Sequence, residues 1–291
     1  MSGFPHNNRT YSMLKAAQRE NYAVGAFSCY NTTHVLGVIR AAEANGSPAI
    51  IQLFPWSLHF HGPQYVAFVV SAAHAARVPI AVHLDHCIIA TDAELALSLR
   101  PTFDSIMVDG DAVYVRGMVE RAAMRGVTIE AELGRIAGAE DGLPPPPAEA
   151  MVAALTEPDF ARRFVEDTGI HFLAPSFGNV HGTYPEGGPE ACWKVQRLGA
   201  ISAALEGMGV EMVLHGTSPA GDELIRSVIS QGVRKINMNK MVRDAQVAFL
   251  AENTGTMPET QLQEKAVEIY ANEVGRAMRE VLGSAGKATE V

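Results

Sequence analysis

An eight-fold alternation of short apolar runs with longer helical stretches predicts an α/β protein, a (β/α)8 TIM barrel with extra N- and C-terminal helices. The chain has 291 residues, 47% hydrophobic and 19% charged, which suits one large domain spanning 1–291. No GxGxxG opens a helix after the first strand, which removes the commonest dinucleotide reason for an open doubly wound sheet.

The elements follow in order. Residues 10–20 read as a helix with Met13, Leu14, Ala16 and Ala17 on one side, and 22–27 as the first strand. Residues 33–44 read as a helix stopped by Asn45-Gly46, 49–53 as a strand, and 64–77 as a helix with Pro63 near its start. Residues 80–84 form the third strand, and Thr91 caps a helix over 92–99. The strand 105–108 precedes a helix over 111–125, ended by Gly126. The strand 127–132 is followed by a Gly- and Pro-rich connection, 133–156, with four prolines from Pro144 to Pro147. A helix over 157–167, a strand over 170–174 and a helical stretch over 188–207 come next. The strand 210–214, the helix 220–230, the strand 233–237 and the helix 241–252 complete eight units. A further helix, 261–282, stands outside the count and is free to pack on a partner subunit.

The formal net charge is −9, without basic clusters, which argues against nucleic-acid and anionic-membrane binding. The first twenty residues hold no apolar signal core and no run approaches a membrane span, so a cytoplasmic protein is expected. Cys29, Cys87 and Cys192 are too far apart to suggest a disulfide framework or a cysteine zinc site. Any metal would have to use histidine and carboxylates.

The stretch AVHLDHC (81–87) crowds His83, Asp85 and His86 at the end of a buried strand. His181 follows the sixth strand in GNVHGTY and His215 ends the seventh in VLHGTS. In a barrel all three of His86, His181 and His215 reach one face, the count a catalytic zinc uses. Spacing alone leaves ordinary strand-end histidines equally open. Asp109 ends the fourth strand, and Glu130 and Glu132 alternate along the fifth, so a ring of acids surrounds the histidines. Gly182 and Gly216 follow two of those histidines, where bare amides suit an anionic ligand or simply a tight turn. Glu140, with Asp141, sits between glycines on the long connection, a common arrangement for a lid.

The chain resembles the class II, zinc-dependent fructose/tagatose-bisphosphate aldolase family. The likeness is carried by MLKAAQRENYAVGAF, HLDHC, SIMVDGD, IEAELGRIAGAEDG, TEPDFARRFVEDTG, GNVHGTY, VLHGTS and GVRKINMN, in that order from Met13 to Asn239. The resemblance implies Zn2+ on His86, His181 and His215, with Asp109 and Glu132 able to hold it in a second, outward position. It implies that Asp85 moves the proton at the C4 hydroxyl and Glu140 the proton at the carbon that becomes the nucleophile. Gly182, Gly216, Thr217, Ser218, Asn237, Asn239 and Lys240 take substrate-binding positions. A monovalent cation (K+ or Na+), a small-molecule sugar phosphate and a homodimer or homotetramer are further implications. The expected reaction is reversible cleavage of a ketose bisphosphate, such as fructose 1,6-bisphosphate, into dihydroxyacetone phosphate and an aldehyde. No lysine ends the sixth strand, where a Schiff-base barrel lysine commonly lies.

The phosphate end departs from the family. LHGGSG is LHGTSP here, so Thr217 and Pro219 replace glycines, and Lys240 stands at a threonine position. Ser28 replaces an asparagine, and the bulky run Leu53-Phe54-Pro55-Trp56 replaces a small polar residue. These changes raise the alternatives of a different ketose, a 2-keto acid, or a non-catalytic ligand-binding member. His83 is read as orienting Asp85 or its neighbours, and Cys87 as a small turn residue.

Overall fold

The computed structural model describes residues 5–138 and 154–291. Eight strands close into a barrel: β1 (Val24–Ser28), β2 (Ala49–Leu53), β3 (Ile80–Cys87), β4 (Ser105–Val108), β5 (Thr128–Leu133), β6 (Phe172–Pro175), β7 (Glu211–Leu214) and β8 (Val233–Met238). Each pairs in parallel with its neighbours in sequence, and β8 returns to β1. Closure leaves no sheet edge to protect. Among the described residues no helix is long and apolar enough to cross a membrane.

Alternation along each strand divides the core in two. Residues facing outward, such as Phe27, Ile51, Leu53, Val82 and Leu84, meet the helices. Residues facing inward fill the lumen: Val24, Ala26, Ile50, Ala81, Phe172, Ala174 and Val213 form one cluster with Tyr11, Met13, Leu14 and Ala17. The N-terminal helix Arg9–Glu20 therefore stoppers one mouth of the barrel with its apolar side. Asn8 caps it by accepting from the Tyr11 amide, and Asn21 ends it in the left-handed region at φ 53°. The lumen turns polar toward the opposite mouth, where the strands end.

The structure differs from the sequence reading in several places. β3 runs to Cys87 rather than stopping at Leu84. A short helix, Pro55–His61, precedes Pro63–His74. The expected helix over 188–207 is two, Gly188–Cys192 and Val195–Ala204, because Trp193 adopts an extended backbone between them. Ala137–Gly138 and Val180–His181 pair as a two-stranded ribbon outside the barrel. The C-terminal helix Glu259–Arg276 buries Leu262, Ala266, Val267, Tyr270 and Val274. It packs on the chain's own helix Thr32–Asn45, with Tyr270 stacked on His34 at 4.6 Å, so this face is not left for a partner. Glu140 lies outside the described residues.

Candidate active site

His86, His181 and His215 meet at the carboxyl ends of the strands. One nitrogen from each lies within 4.8 Å of one from each of the others, and all three side chains are buried. His215 directly follows β7. The ribbon, with His181 in register with Gly138, holds His181 over the same mouth. His86 needs a special backbone. Strand alternation would turn it away from the face that Asp85 occupies. Instead its φ is 51°, in the left-handed region, and the β3–β4 register shifts between Leu84 and Cys87. A bulge of this kind re-aims a side chain and costs about 1–3 kcal/mol for a non-glycine residue. Consecutive residues Asp85 and His86 thereby serve the same site.

Each outer histidine is steered by a carboxylate. His215 Nε2 lies 2.9 Å from Glu130 Oε1, and its Nδ1 has no hydrogen-bond partner. His86 Nδ1 lies 3.5 Å from Asp109 Oδ2, and its Nε2 has none either. A carboxylate on one ring nitrogen with the other turned to a shared centre is how metal-binding histidines are held. Burial disfavours the charged form of His86, yet Asp85, Asp109 and Glu132 raise its pKa well above the ordinary value. Burial and the neighbouring His86 and His215 hold His181 well below it. Three inward nitrogens ringed by carboxylates suit a divalent cation of the zinc type. Glu132, whose carboxyl is raised by burial, accepts from the Ile136 amide at 2.9 Å.

Asp85 is fully buried, and burial favours its neutral form. His86, His83, His215 and Lys235 more than offset this and hold it well below the usual carboxylate range. Gln52 Nε2 and Asn237 Nδ2 donate to Oδ2 at 2.8 and 3.1 Å, while Oδ1 has no hydrogen-bond partner. Asp85 is thus a fixed, ionised carboxylate whose Oδ1 stands 3.5 Å from His83 Nε2.

Beneath it lies a polar layer that sequence reasoning did not assemble. Lys235 Nζ bridges Glu130 Oε2 and Asn237 Oδ1, both at 2.8 Å. Burial raises the Glu130 carboxyl, but Lys235, His83 and His215 hold it low. His83 Nδ1 meets Ser105 Oγ at 2.8 Å, and its Nε2 stands 3.5 Å from Asp85. His83 Nε2 thus stands between Asp85 and Glu130, 3.5 and 3.6 Å away. Glu130 was among the acids named from sequence; Lys235 was not, and its signal is that it sits two residues from Asn237 on the same inward face.

A cavity of about 1010 Å³ adjoins the histidines between the loops after β6, β7 and β8. The expected substrate-side residues Gly182, Gly216, Thr217, Ser218, Asn237, Asn239 and Lys240 all line it. Arg243 joins them, its guanidinium 5.3 Å from the centre of the Tyr30 ring. Gly216 is required: its φ is 68° and a Cβ there would run into the Val180 backbone. Tyr184 Oη accepts from the Val180 amide (2.9 Å) and donates to the Gly216 carbonyl (2.6 Å), locking the β6 and β7 loops together. Asn179 donates to the His215 carbonyl at 3.0 Å. Neither residue was singled out from sequence. Thr217 turns its hydroxyl to the Asn237 carbonyl at 2.7 Å, and its own carbonyl takes the Ala220 amide. Pro219 has no N–H, so this loop has fewer amides to offer than its glycine-rich counterpart.

Comparison with known proteins shows the family. The model of the family "Fructose-bisphosphate aldolase class-II" matches residues 8–287. A Coccidioides immitis protein, provisionally named a fructose-bisphosphate aldolase, is 38% identical over 97% of this chain and 95% of its own. The fructose-bisphosphate aldolase of Thermus caldophilus is 33% identical over 95% of this chain and 98% of its own. The crystal structure of the Coccidioides protein superposes with a TM-score of 0.90, covering 98% of this chain and 99% of that one. The YdjI aldolase of Escherichia coli K12 gives 0.81 at 27% identity, covering 96% of this chain and 98% of that one. Fold, site and sequence relatives together place the chain in the class II fructose-bisphosphate aldolase family, and it is an aldehyde-lyase of that class.

Proposed function

We propose that this chain is a zinc-dependent aldolase that reversibly cleaves a phosphorylated ketose beside its ketone, releasing dihydroxyacetone phosphate and an aldehyde. The convergence of His86, His181 and His215 next to an ionised Asp85 carries this reading. Zinc held by the three histidines would act as a Lewis acid on the ketone and neighbouring hydroxyl oxygens, where charge develops. Asp85 Oδ1 takes the proton of the C4 hydroxyl as the carbon–carbon bond breaks, and returns it in synthesis. Gln52 and Asn237 fix its other oxygen, so no reorganisation is needed at that moment. Lys240 and Arg243 attract the phosphate on the ketone side, supplementing the amides left on the β7 loop. Asp109 and Glu132 are alternative metal ligands, and Glu140 is the second proton carrier.

The names of the relatives make fructose 1,6-bisphosphate the first substrate to assay. The altered β7 loop favours a different ketose, and Lys240 would also pair with the carboxylate of a 2-keto acid. Metal analysis of purified protein, with assays on fructose and tagatose 1,6-bisphosphates and a ketose-phosphate panel, tests the reading. Bound zinc that is lost in His86→Ala, with turnover of at least one ketose phosphate, is the expected result. Absence of any divalent metal, or of cleavage across the panel, would refute it.

A further inference from the structure

The mouth of the barrel is lopsided in charge. Lys240 and Arg243 line the cavity on the β8 side. The loops after β1, β2, β3 and β4 are different: the sequence carries no lysine or arginine over 29–39, 54–76, 85–99 or 109–115. What it carries there is acids, histidines and exposed apolar side chains. Trp56 is 39% exposed, Phe60 68%, Ile88 53% and Ile89 61%. Trp56 stacks on Phe60 at 4.7 Å and stands 6.5 Å from Tyr30, whose ring is 6.1 Å from the buried Phe54. His59 pairs with Asp92 at 2.8 Å, which ties the helix Pro55–His61 to the start of Ala90–Ser98. That pair links the segment bearing Trp56 and Phe60 to the one that follows Ile88 and Ile89. The Ile88 amide bonds to the His86 carbonyl at 3.0 Å, so the Ile88–Ile89 stretch begins at a proposed metal ligand. The two histidines of the short helix are committed elsewhere, His59 to Asp92 and His61 to the Tyr30 carbonyl.

The direction of the substrate follows from Asp85. It lies on β3 and is held by Gln52 of β2. A ketose with its ketone and phosphate in the cavity, and its C4 hydroxyl at Asp85, sends its remaining carbons over the loops after β2 and β3. A second phosphate over the loops after β2 and β3 would meet apolar side chains and no lysine or arginine of those loops, whereas phosphate recognition rests on charged donors. Exposed apolar side chains beside a catalytic centre suit an apolar group.

We propose that the aldehyde-side subsite takes an uncharged fragment with an apolar end, so that the substrate carries one phosphate, on the ketone side, rather than two. This rests on the aldolase reading above. In synthesis a proton leaves the donor carbon beside the ketone for a carboxylate of the site, the electron pair left behind forms the new bond to the aldehyde carbon, and the aldehyde oxygen is protonated by Asp85 in its protonated form, so one proton is lost at carbon and one is gained at oxygen. Cleavage is the reverse, and no redox partner is involved.

The test uses the zinc-loaded protein with dihydroxyacetone phosphate as donor. Exchange of the donor proton with deuterium, read by NMR without any aldehyde, reports on the aldolase reading alone. Aldol synthesis with 3-phenylpropanal and with glyceraldehyde 3-phosphate then gives a ratio of kcat/KM values, which does not depend on the fraction of folded protein. The ratio is expected to favour 3-phenylpropanal at least tenfold, and Trp56→Ala and Ile88→Ser are each expected to lower it roughly tenfold, the scale of discrimination in an apolar pocket. Exchange with a preference for glyceraldehyde 3-phosphate, or a ratio that neither variant moves, would overturn the proposal and spare the aldolase reading. Absence of exchange would overturn both.

Discussion

Replacing Glu130 by glutamine keeps the side chain's shape and removes its charge. In the native barrel that carboxylate faces Lys235 at 2.8 Å and His215 Nε2 at 2.9 Å, with all three side chains fully buried. E130Q leaves a buried ammonium without its anion, a loss of about 3–5 kcal/mol. At roughly 2–4 °C per kcal/mol for a large domain, the metal-free protein should melt ~10 °C lower. The second consequence is independent. His215 loses the anion that sets its tautomer and ring orientation, and such losses lower metal affinity roughly 10–100-fold. Thermal denaturation in chelator and zinc competition titration read the two effects separately. Lys235→Met should destabilise similarly, by stranding the anion. The double variant should recover about 2 kcal/mol relative to additivity, because neither charge then lacks its partner. It should not recover zinc affinity, since His215 still lacks its carboxylate. Additive stabilities, or an E130Q protein with native melting temperature and zinc affinity, would refute the reasoning.

Lys240→Gln should raise KM for a phosphorylated substrate about tenfold or more while changing kcat little, as expected for uniform binding of a phosphate remote from the reacting carbons; steady-state kinetics check this, and an unchanged KM would remove Lys240 from the phosphate site. Gly216→Ala should destabilise by about 2 kcal/mol or more and depress activity, since its φ of 68° and the Val180 backbone leave no room for a methyl group; denaturation and turnover measure both. His171 supplies a pH dependence away from the His86, His181 and His215 cluster. Burial lowers its pKa to about 4, and its Nδ1 accepts from the Ile129 amide at 3.0 Å. The folded pKa lies below the unfolded one, so the unfolded chain binds the extra proton first. Stability is full above about pH 6.5 and declines as pH falls toward 4, by about 3 kcal/mol in all. His171→Asn retains an acceptor and should abolish that part of the acid sensitivity, read from urea denaturation at pH 7.5 and pH 5.

Much of the site was legible because strand ends, glycines and acids leave local marks. His181 and His215 stand beside glycines in loops, and the seven residues named from sequence between Gly182 and Lys240 line one cavity. Tyr184 and Asn179 were not legible, because their importance lies in bonds to His215, Gly216 and Val180 that only the packed loops create. Lys235 was not singled out from sequence. Its partner Glu130 is 105 positions away in sequence and adjacent only once β5 and β8 face each other across the lumen.

The sequence by itself determined the eight-fold alternation, the order of the strands and the residue types at their ends, since period-two and helical patterning are local properties of a chain. Only the tertiary structure decided how those ends are aimed. In AVHLDHC, alternation alone would send Asp85 and His86 to opposite faces. The left-handed backbone at His86 and the β3–β4 register shift bring both into the mouth, and such a backbone persists only because the surrounding barrel holds it there. Closure also decided which charges meet: it set Lys235 against Glu130, Gln52 and Asn237 against Asp85, and left Lys240 and Arg243 on one side of the mouth and exposed apolar side chains on the other.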